Sequence, residues 1–279
     1  MKPVISPGEL IQLLKNKNLV IIDARAGGDA REKYQQQHLD KALFVDLETE
    51  LAEKTDNPAN GGRHPLPSPA KFALVLGKLG IHPGSHVVVY DDKNGANAAA
   101  RFWWMLRAAG HEAVQVLDGG LQLALKEGYP ASSSPEAAQA APPYEFSEWQ
   151  LPTAAISEVE KAVHDSAKLV IDVRDAYRYR GEQEPIDKIA GHIPGAKNIP
   201  FSENLDKQGK FLSPDLLKEK YTTALEGKTP EQLIVHCGSG VTACHTILSI
   251  AHAGFPIPVL YVGSWSEWSR TDRPIATGE

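Results

Sequence analysis

A six-residue pattern occurs twice in this chain, and its recurrence limits the possible folds more than any other feature. Val20 to Arg25 reads Val-Ile-Ile-Asp-Ala-Arg, and Leu169 to Arg174 reads Leu-Val-Ile-Asp-Val-Arg. Each is an apolar run suited to a parallel strand buried on both faces, with an acid and an arginine at its carboxyl end. A second pair of stretches repeats in the same order: Val87 to Gly110 matches Leu233 to Gly254, each an apolar run, a polar loop and apolar residues at helical spacing. The chain therefore reads as two copies of one α/β unit. Strands alternating with helices imply a parallel sheet flanked by helices in each copy.

Local signals place the elements. Ser6 precedes Glu9 in a capping-box pattern, and Leu10, Leu13 and Leu14 form a helical face. A short helix is expected over Arg31 to His38, a strand over Ala42 to Leu47, and helices over Ser68 to Leu79 and Ala98 to Ala109. Val87 to Tyr90 and Val114 to Leu117 read as strands, and Gly80 is placed to stop the helix before it. Thr55 to Pro69, with Gly61-Gly62-Arg63-His64-Pro65-Leu66-Pro67 at its centre, is a loop. Tyr129 to Pro143 loses all periodicity and reads as a linker or a surface-hugging crossover. The expected division is a first domain over 1–129, a linker over 130–146 and a second domain over 147–279.

A chain of 279 residues can build two cores of ordinary size. Its net charge of −6 argues against a nucleic-acid partner, and it carries no polybasic patch for a membrane surface. The N-terminal stretch lacks the apolar core of a signal peptide, so a cytoplasmic location is expected. Two cysteines, Cys237 and Cys244, make no disulfide framework and lack the second clustered pair of a zinc site. No metal or other cofactor is called for.

Cys237 lies between the apolar run Leu233 to Val235 and a helix announced by Val241, Cys244, Ile247, Leu248 and Ala251. Gly238 and Gly240 let the backbone curl so that successive N–H groups point inward, and the helix adds the positive end of its dipole. Amides and dipole together favour the thiolate of a cysteine placed there, which makes Cys237 the candidate nucleophile. His236, Cys237 and Gly240 also fit the phosphate loop of cysteine-dependent phosphatases. That chemistry needs an arginine six positions after the cysteine, where this chain has Ala243, so phosphoryl transfer is set aside.

Cys237-Gly-Ser-Gly-Val-Thr-Ala-Cys-His245 resembles the active-site loop of the two-domain rhodanese family, in its 3-mercaptopyruvate sulfurtransferase branch; the thiosulfate branch carries basic residues in this loop. Leu117-Asp118-Gly119-Gly120, Gly191-His192-Ile193-Pro194-Gly195-Ala196 and Gly263-Ser264-Trp265-Ser266-Glu267-Trp268 extend the likeness over essentially the whole chain. The resemblance implies two tandem rhodanese-like domains, the first inactive and the second catalytic. Aligning the copies agrees: Asp91 stands where the second has Cys237, and Asp92-Lys93-Asn94-Gly95-Ala96 lacks the two-glycine cradle.

It further implies sulfur transfer from 3-mercaptopyruvate through a Cys237 persulfide, with pyruvate released and the sulfur passed to cyanide, a small thiol or a thioredoxin. Thiosulfate as donor, and a persulfide carrier loaded by a partner enzyme, are the alternatives. Arg178 matches the family's arginine for the donor carboxylate, and Gly238, Ser239, Gly240, Val241 and Thr242 form the loop around the sulfur, with Ser239 a hydrogen-bond donor or proton shuttle and Thr242 a helix cap. Arg174 recurs as Arg25 in the inactive copy, which points to a structural ion pair; Arg180 reads as a rim charge and His192 as a structural loop residue. One departure stands out. The branch has a second arginine after a Glu-Pro-Glu-Pro stretch, where this chain offers Asp187 or Lys188.

Overall fold

The computed structural model describes all 279 residues. The chain forms two compact units. Unit 1 comprises Met1–Glu53, Pro67–Gln150 and Gln208–Lys210; unit 2 comprises Lys54–Leu66, Leu151–Lys207 and Phe211–Glu279.

Unit 1 contains strands β1 (Val4–Ile5), β2 (Leu19–Asp23), β3 (His38–Leu39), β4 (Ala42–Phe44), β5 (His86–Tyr90), β6 (Val114–Leu117) and β7 (Ala131–Ser132). Its helices are α1 (Pro7–Leu13), α2 (Ala30–Gln36), α3 (Pro69–Lys78), α4 (Ala99–Ala108) and α5 (Gly120–Lys126). Five strands make a parallel sheet in the order β1-β6-β5-β2-β4, with Val20 beside Val87 and Asp23 beside Tyr90. Ile21, Ala42 and Val88 share one face and pack with Leu10 and Leu121. Helix α1 starts where expected, because Ser6 and Glu9 cap each other reciprocally. The expected strand over Ala42 to Leu47 is shorter in the structure. It leaves the ladder after Phe44 and turns at Asp46, whose carboxylate accepts from the N–H groups of Glu48 and Thr49.

The unpatterned stretch after Tyr129 lies on unit 1. β7 pairs antiparallel with β3, and further on Ala141 donates to the Gly77 carbonyl at 2.8 Å and Tyr144 to that of Ala73 at 3.1 Å. Gly77 permits this crossing of α3, since a Cβ there would meet the Ala141 oxygen at 2.9 Å. The unit boundary falls at Gln150, beyond the 130–146 stretch.

Unit 2 carries β8 (Leu169–Asp172), β9 (Lys197–Asn198), β10 (Leu233–His236) and β11 (Val259–Leu260), with helices α6 (Ile156–Ala162), α7 (Ala176–Tyr179), α8 (Pro214–Ala224), α9 (Ala243–His252) and α10 (Ser264–Trp268). The sheet order is β11-β10-β8-β9, all parallel, and the register sets Leu233 beside Leu169 and His236 beside Asp172. Val159, Val170, Ile193, Ile234, Tyr261, Trp265 and Trp268 form the core on one side. Both units are thus α/β, each with a parallel sheet flanked by helices. No helix is long and apolar enough to cross a membrane.

Candidate active site

The site is built at the carboxyl ends of β8 and β10, where parallel sheets present their ligands. Register brings Asp172 and His236 together, both fully buried. Arg174 forks onto Asp172 through Nε at 3.0 Å and Nη2 at 2.6 Å, and its Nη2 also donates to the Gly191 carbonyl at 2.7 Å. Its guanidinium stacks on Trp265, 4.7 Å from the ring centroid. Burial alone would raise the Asp172 carboxyl, but Arg174 and then His236 outweigh it and hold it below the usual carboxylate range. Burial pushes His236 down, against the pull of Asp172. Arg174 is accordingly part of the frame. His192 is too, its Nδ1–H donating to the Tyr179 carbonyl at 2.8 Å and its ring stacked on that of Tyr179 with centroids 3.7 Å apart.

Cys237 follows β10 directly and is 2% exposed. Its N–H donates to Ser264 Oγ at 3.2 Å, while its carbonyl accepts from Trp265 N–H at 3.0 Å and that of Gly238 from Ser266 N–H at 2.8 Å. The start of α10 therefore grips the backbone on which the sulfur sits. Gly240 adopts φ +74°, and a Cβ there would lie 2.5 Å from the Val262 carbonyl oxygen, so the turn requires glycine. Val241 and Ser239 are buried within the loop. Thr242 stands at the N-cap position of α9, but its side chain makes no capping bond. Cys244 lies beneath the loop, its thiol directed at the Gly240 carbonyl at 3.3 Å.

Arg178, on α7, reaches this loop. Its Nη2 and Nη1 lie 3.5 and 3.8 Å from the position a Cβ would take on Gly238, so the missing side chain is what admits the guanidinium. Glu184 orients it, accepting from Nε at 3.1 Å and Nη2 at 2.7 Å. Arg180 instead pairs at the surface with Glu182.

Two neighbours of the loop escaped the sequence reading. His64 Nδ1 lies 2.8 Å from Ser239 Oγ, and Arg63 Nη2 lies 3.3 Å from the Gly238 Cβ position. Both come from the 54–66 segment, which the sequence order assigns to the first domain and the structure to unit 2. The segment is pinned there by Gly61 N–H on Glu267 at 2.9 Å and Arg63 N–H on Ser266 Oγ at 3.0 Å. Its available signal was a long Gly/Pro-rich loop with an Arg-His pair at its centre, since structureless loops of that length in compact domains carry function.

The loop after β5 in unit 1 calls for a correction. It does form a cradle, although it lacks the two glycines. Asn94 at φ +56° and Gly95 at φ +82° turn the chain so that backbone amides converge on Asp91. Lys93 and Gly95 N–H donate to its Oδ1 at 2.9 and 2.8 Å, and Asn97 and Ala99 N–H to its Oδ2 at 3.0 and 3.1 Å. Asp91 is fully buried. Burial pushes its carboxyl up to about 6, against the pull of the amides.

A rhodanese-like domain model matches residues 6–126 and again 155–271. The probable 3-mercaptopyruvate sulfurtransferase of Pseudomonas aeruginosa is 40% identical over 289 aligned residues, covering 99% of this chain and 98% of its own. The thiosulfate sulfurtransferase of Gallus gallus is 36% identical, covering 88% of this chain and 83% of its own. The solved structure of the 3-mercaptopyruvate sulfurtransferase from Leishmania major superposes with a TM-score of 0.84 at 30% identity, over 96% of this chain and 74% of its own. The chain belongs to the rhodanese family as a tandem pair of rhodanese-like domains, and it is a sulfurtransferase.

Proposed function

We propose that this sulfurtransferase takes its sulfur from 3-mercaptopyruvate and carries it as a persulfide on Cys237, with unit 2 alone catalytic. The observation that carries the donor assignment is the Arg178 guanidinium against Gly238, one residue from Cys237, in a loop that has no basic residue of its own. An α-keto carboxylate donor suits a fork placed beside the sulfur. The Cys237 thiolate attacks the donor sulfur, the donor C–S bond breaks, and its electron pair leaves on the pyruvate enolate. The donor's thiol proton ends on the enolate carbon, giving pyruvate and a Cys237 persulfide anion. The Ser239–His64 hydrogen bond offers that proton a path. By the internal alignment Ser239 and Val241 occupy the positions of Lys93 and Gly95, whose amides hold an anion in unit 1. Those two loop amides are the ones suited to the charge on the sulfur.

The outer sulfur then passes to a nucleophilic acceptor such as cyanide, a small thiol or a reduced thioredoxin. A reducing compartment such as the cytoplasm keeps Cys237 and Cys244 free for this cycle. The Gallus gallus relative supports thiosulfate as a second donor. Steady-state assays of both donors with cyanide as common acceptor decide between them. A preference for mercaptopyruvate of at least about tenfold in kcat/KM is expected, equivalent to about 1.4 kcal/mol. Equal or better use of thiosulfate would overturn the donor assignment.

A further inference from the structure

Register leaves one edge of the unit 1 sheet short of a neighbour. β2 pairs with β5 from Leu19 and Val20 onward, but β4 joins β2 only at Ile21. A cavity of about 630 Å³ lies there, lined by Leu19 and Ile21 of β2, Leu43 of β4, Leu79 at the end of α3 and residues 136–142 of the crossover. The crossover is fitted to α3, since a Cβ on Gly80, at φ +71°, would approach the Gln139 carbonyl oxygen to 2.6 Å. Unit 2 closes the corresponding place. Aligning Asp23 with Asp172 sets Leu43 at Lys197, and the left-handed residue after each helix sets Gly80 at Glu226. Lys197 Nζ pairs with Glu226 at 2.5 Å. Unit 1 has a leucine and a glycine in place of that ion pair, and keeps the space.

We infer that this cavity is a binding site for a small organic anion with an apolar body, its charge held by Lys17 and Lys41 and its body by the leucines. Both lysines line the cavity and neither forms an ion pair, while the one acid that lines it, Glu136, is directed at His38 Nε2, 4.0 Å away. Lys41 also holds φ +67°, a conformation that unit 2 gives to Gly195 at the same position. A lysine kept where glycine is the unstrained choice marks its charge as useful there. The volume is that of a small-molecule site. An inorganic anion would leave Leu19, Leu43 and Leu79 uncovered, and a neutral apolar molecule would gain nothing from the two cations. The site lies in the unit whose own cradle is filled by Asp91, so it gives unit 1 a ligand without giving it sulfur chemistry.

The inference holds for either sulfur donor. Its test is a fluorescence titration of the full-length protein at neutral pH with 8-anilinonaphthalene-1-sulfonate, and with N-phenyl-1-naphthylamine, the same body without the sulfonate. The sulfonate is expected to saturate at one molecule per chain, more weakly as salt is added. Lys17→Gln combined with Lys41→Asn should weaken the sulfonate by about fivefold or more and the neutral probe by less than about twofold. Both lysines are exposed and asparagine accepts the left-handed conformation, so this variant keeps the fold. Leu43→Trp, which fills the cavity, should weaken both probes, with near-UV circular dichroism reporting that each variant is folded. Binding that does not saturate, a sulfonate affinity unmoved by the lysine variant, or affinities unmoved by Leu43→Trp overturns the inference. Displacement of the sulfonate by pyruvate would place the probe at the Cys237 loop and overturn it as well.

Discussion

Units 1 and 2 finish their central strands alike and then fill the following loop differently. Asp23 is forked by Arg25 at 3.0 and 2.6 Å as Asp172 is by Arg174, and the neighbouring strand places Tyr90 hydroxyl on Asp23 at 2.7 Å where unit 2 places His236 near Asp172. Beyond this shared frame, unit 1 puts a carboxylate into its own amide cradle, whereas unit 2 puts a cysteine at the same point. A loop that satisfies its amides internally has no use for an external anion. Replacing two oxygens by one sulfur leaves donors and space for the sulfur being transferred. The inactivity we propose for unit 1 follows from an occupied cradle, not from a missing one.

The comparison breaks most visibly at the nucleophile. Cys237→Ser is expected to lower sulfur transfer by about a thousandfold or more with the far-UV spectrum unchanged, because a hydroxyl fits the loop but is not ionised near neutral pH. Cys244→Ser, whose sulfur faces a carbonyl beneath the loop, should retain turnover. Next in size is Arg178→Ala, which removes a charge-assisted fork and should lower kcat/KM for mercaptopyruvate by several tens-fold or more, about 2 to 4 kcal/mol. Steady-state pyruvate release measures both.

Asp91→Asn tests the occupied cradle. An amide has one acceptor oxygen and would turn its own N–H groups toward two of the four converging donors. A loss of about 2 kcal/mol in unit 1 is expected in urea unfolding, with sulfur transfer by unit 2 retained. Unaltered stability would mean the four amide bonds carry no net weight.

The smallest effect separates the units by pH. His236 is held below its ordinary 6.5, so its contribution to unit 2 is complete above 6.5 and is lost as pH falls through the folded value. Asp172, held below its ordinary 3.8, adds a second loss in stronger acid. In unit 1, Asp91 is raised from 3.8 to about 6, so its contribution is complete below 3.8 and is lost as pH rises through about 6. It offsets His111, which burial also pushes down. Between about pH 7 and pH 5, hydrogen exchange should therefore show unit 2 losing protection ahead of unit 1. The reverse order would contradict the assigned directions.

Much of this was legible in the chain. The repeated apolar run ending in Asp-x-Arg located β2 and β8 and their buried ion pairs, because a parallel strand buried on both faces leaves little choice of residue. Cys237 and its glycines marked the strand-to-helix loop, and Arg178 followed from resemblance. What was not legible depends on contacts distant in sequence. His64 meets Ser239 across 175 positions and Arg63 meets Asp187 across 124, and no local pattern reports such pairings. The absence of an arginine after Pro185 says nothing of Asp187 nearby, which the fold pairs with Arg63 from another segment. Asp91 misled for a related reason. The number of glycines in its loop does not report the cradle, since Asn94 reaches the same left-handed conformation.

The central claim is that sulfur rests on Cys237 during turnover and nowhere in unit 1. Its most direct test is mass spectrometry of the protein after brief incubation with 3-mercaptopyruvate, intact and then digested under conditions that preserve persulfides. One added sulfur atom is expected, confined to the peptide bearing Cys237, absent in Cys237→Ser and removed by cyanide with formation of thiocyanate. Sulfur found on Cys244, or pyruvate released with no sulfur ever bound to the protein, would contradict the account.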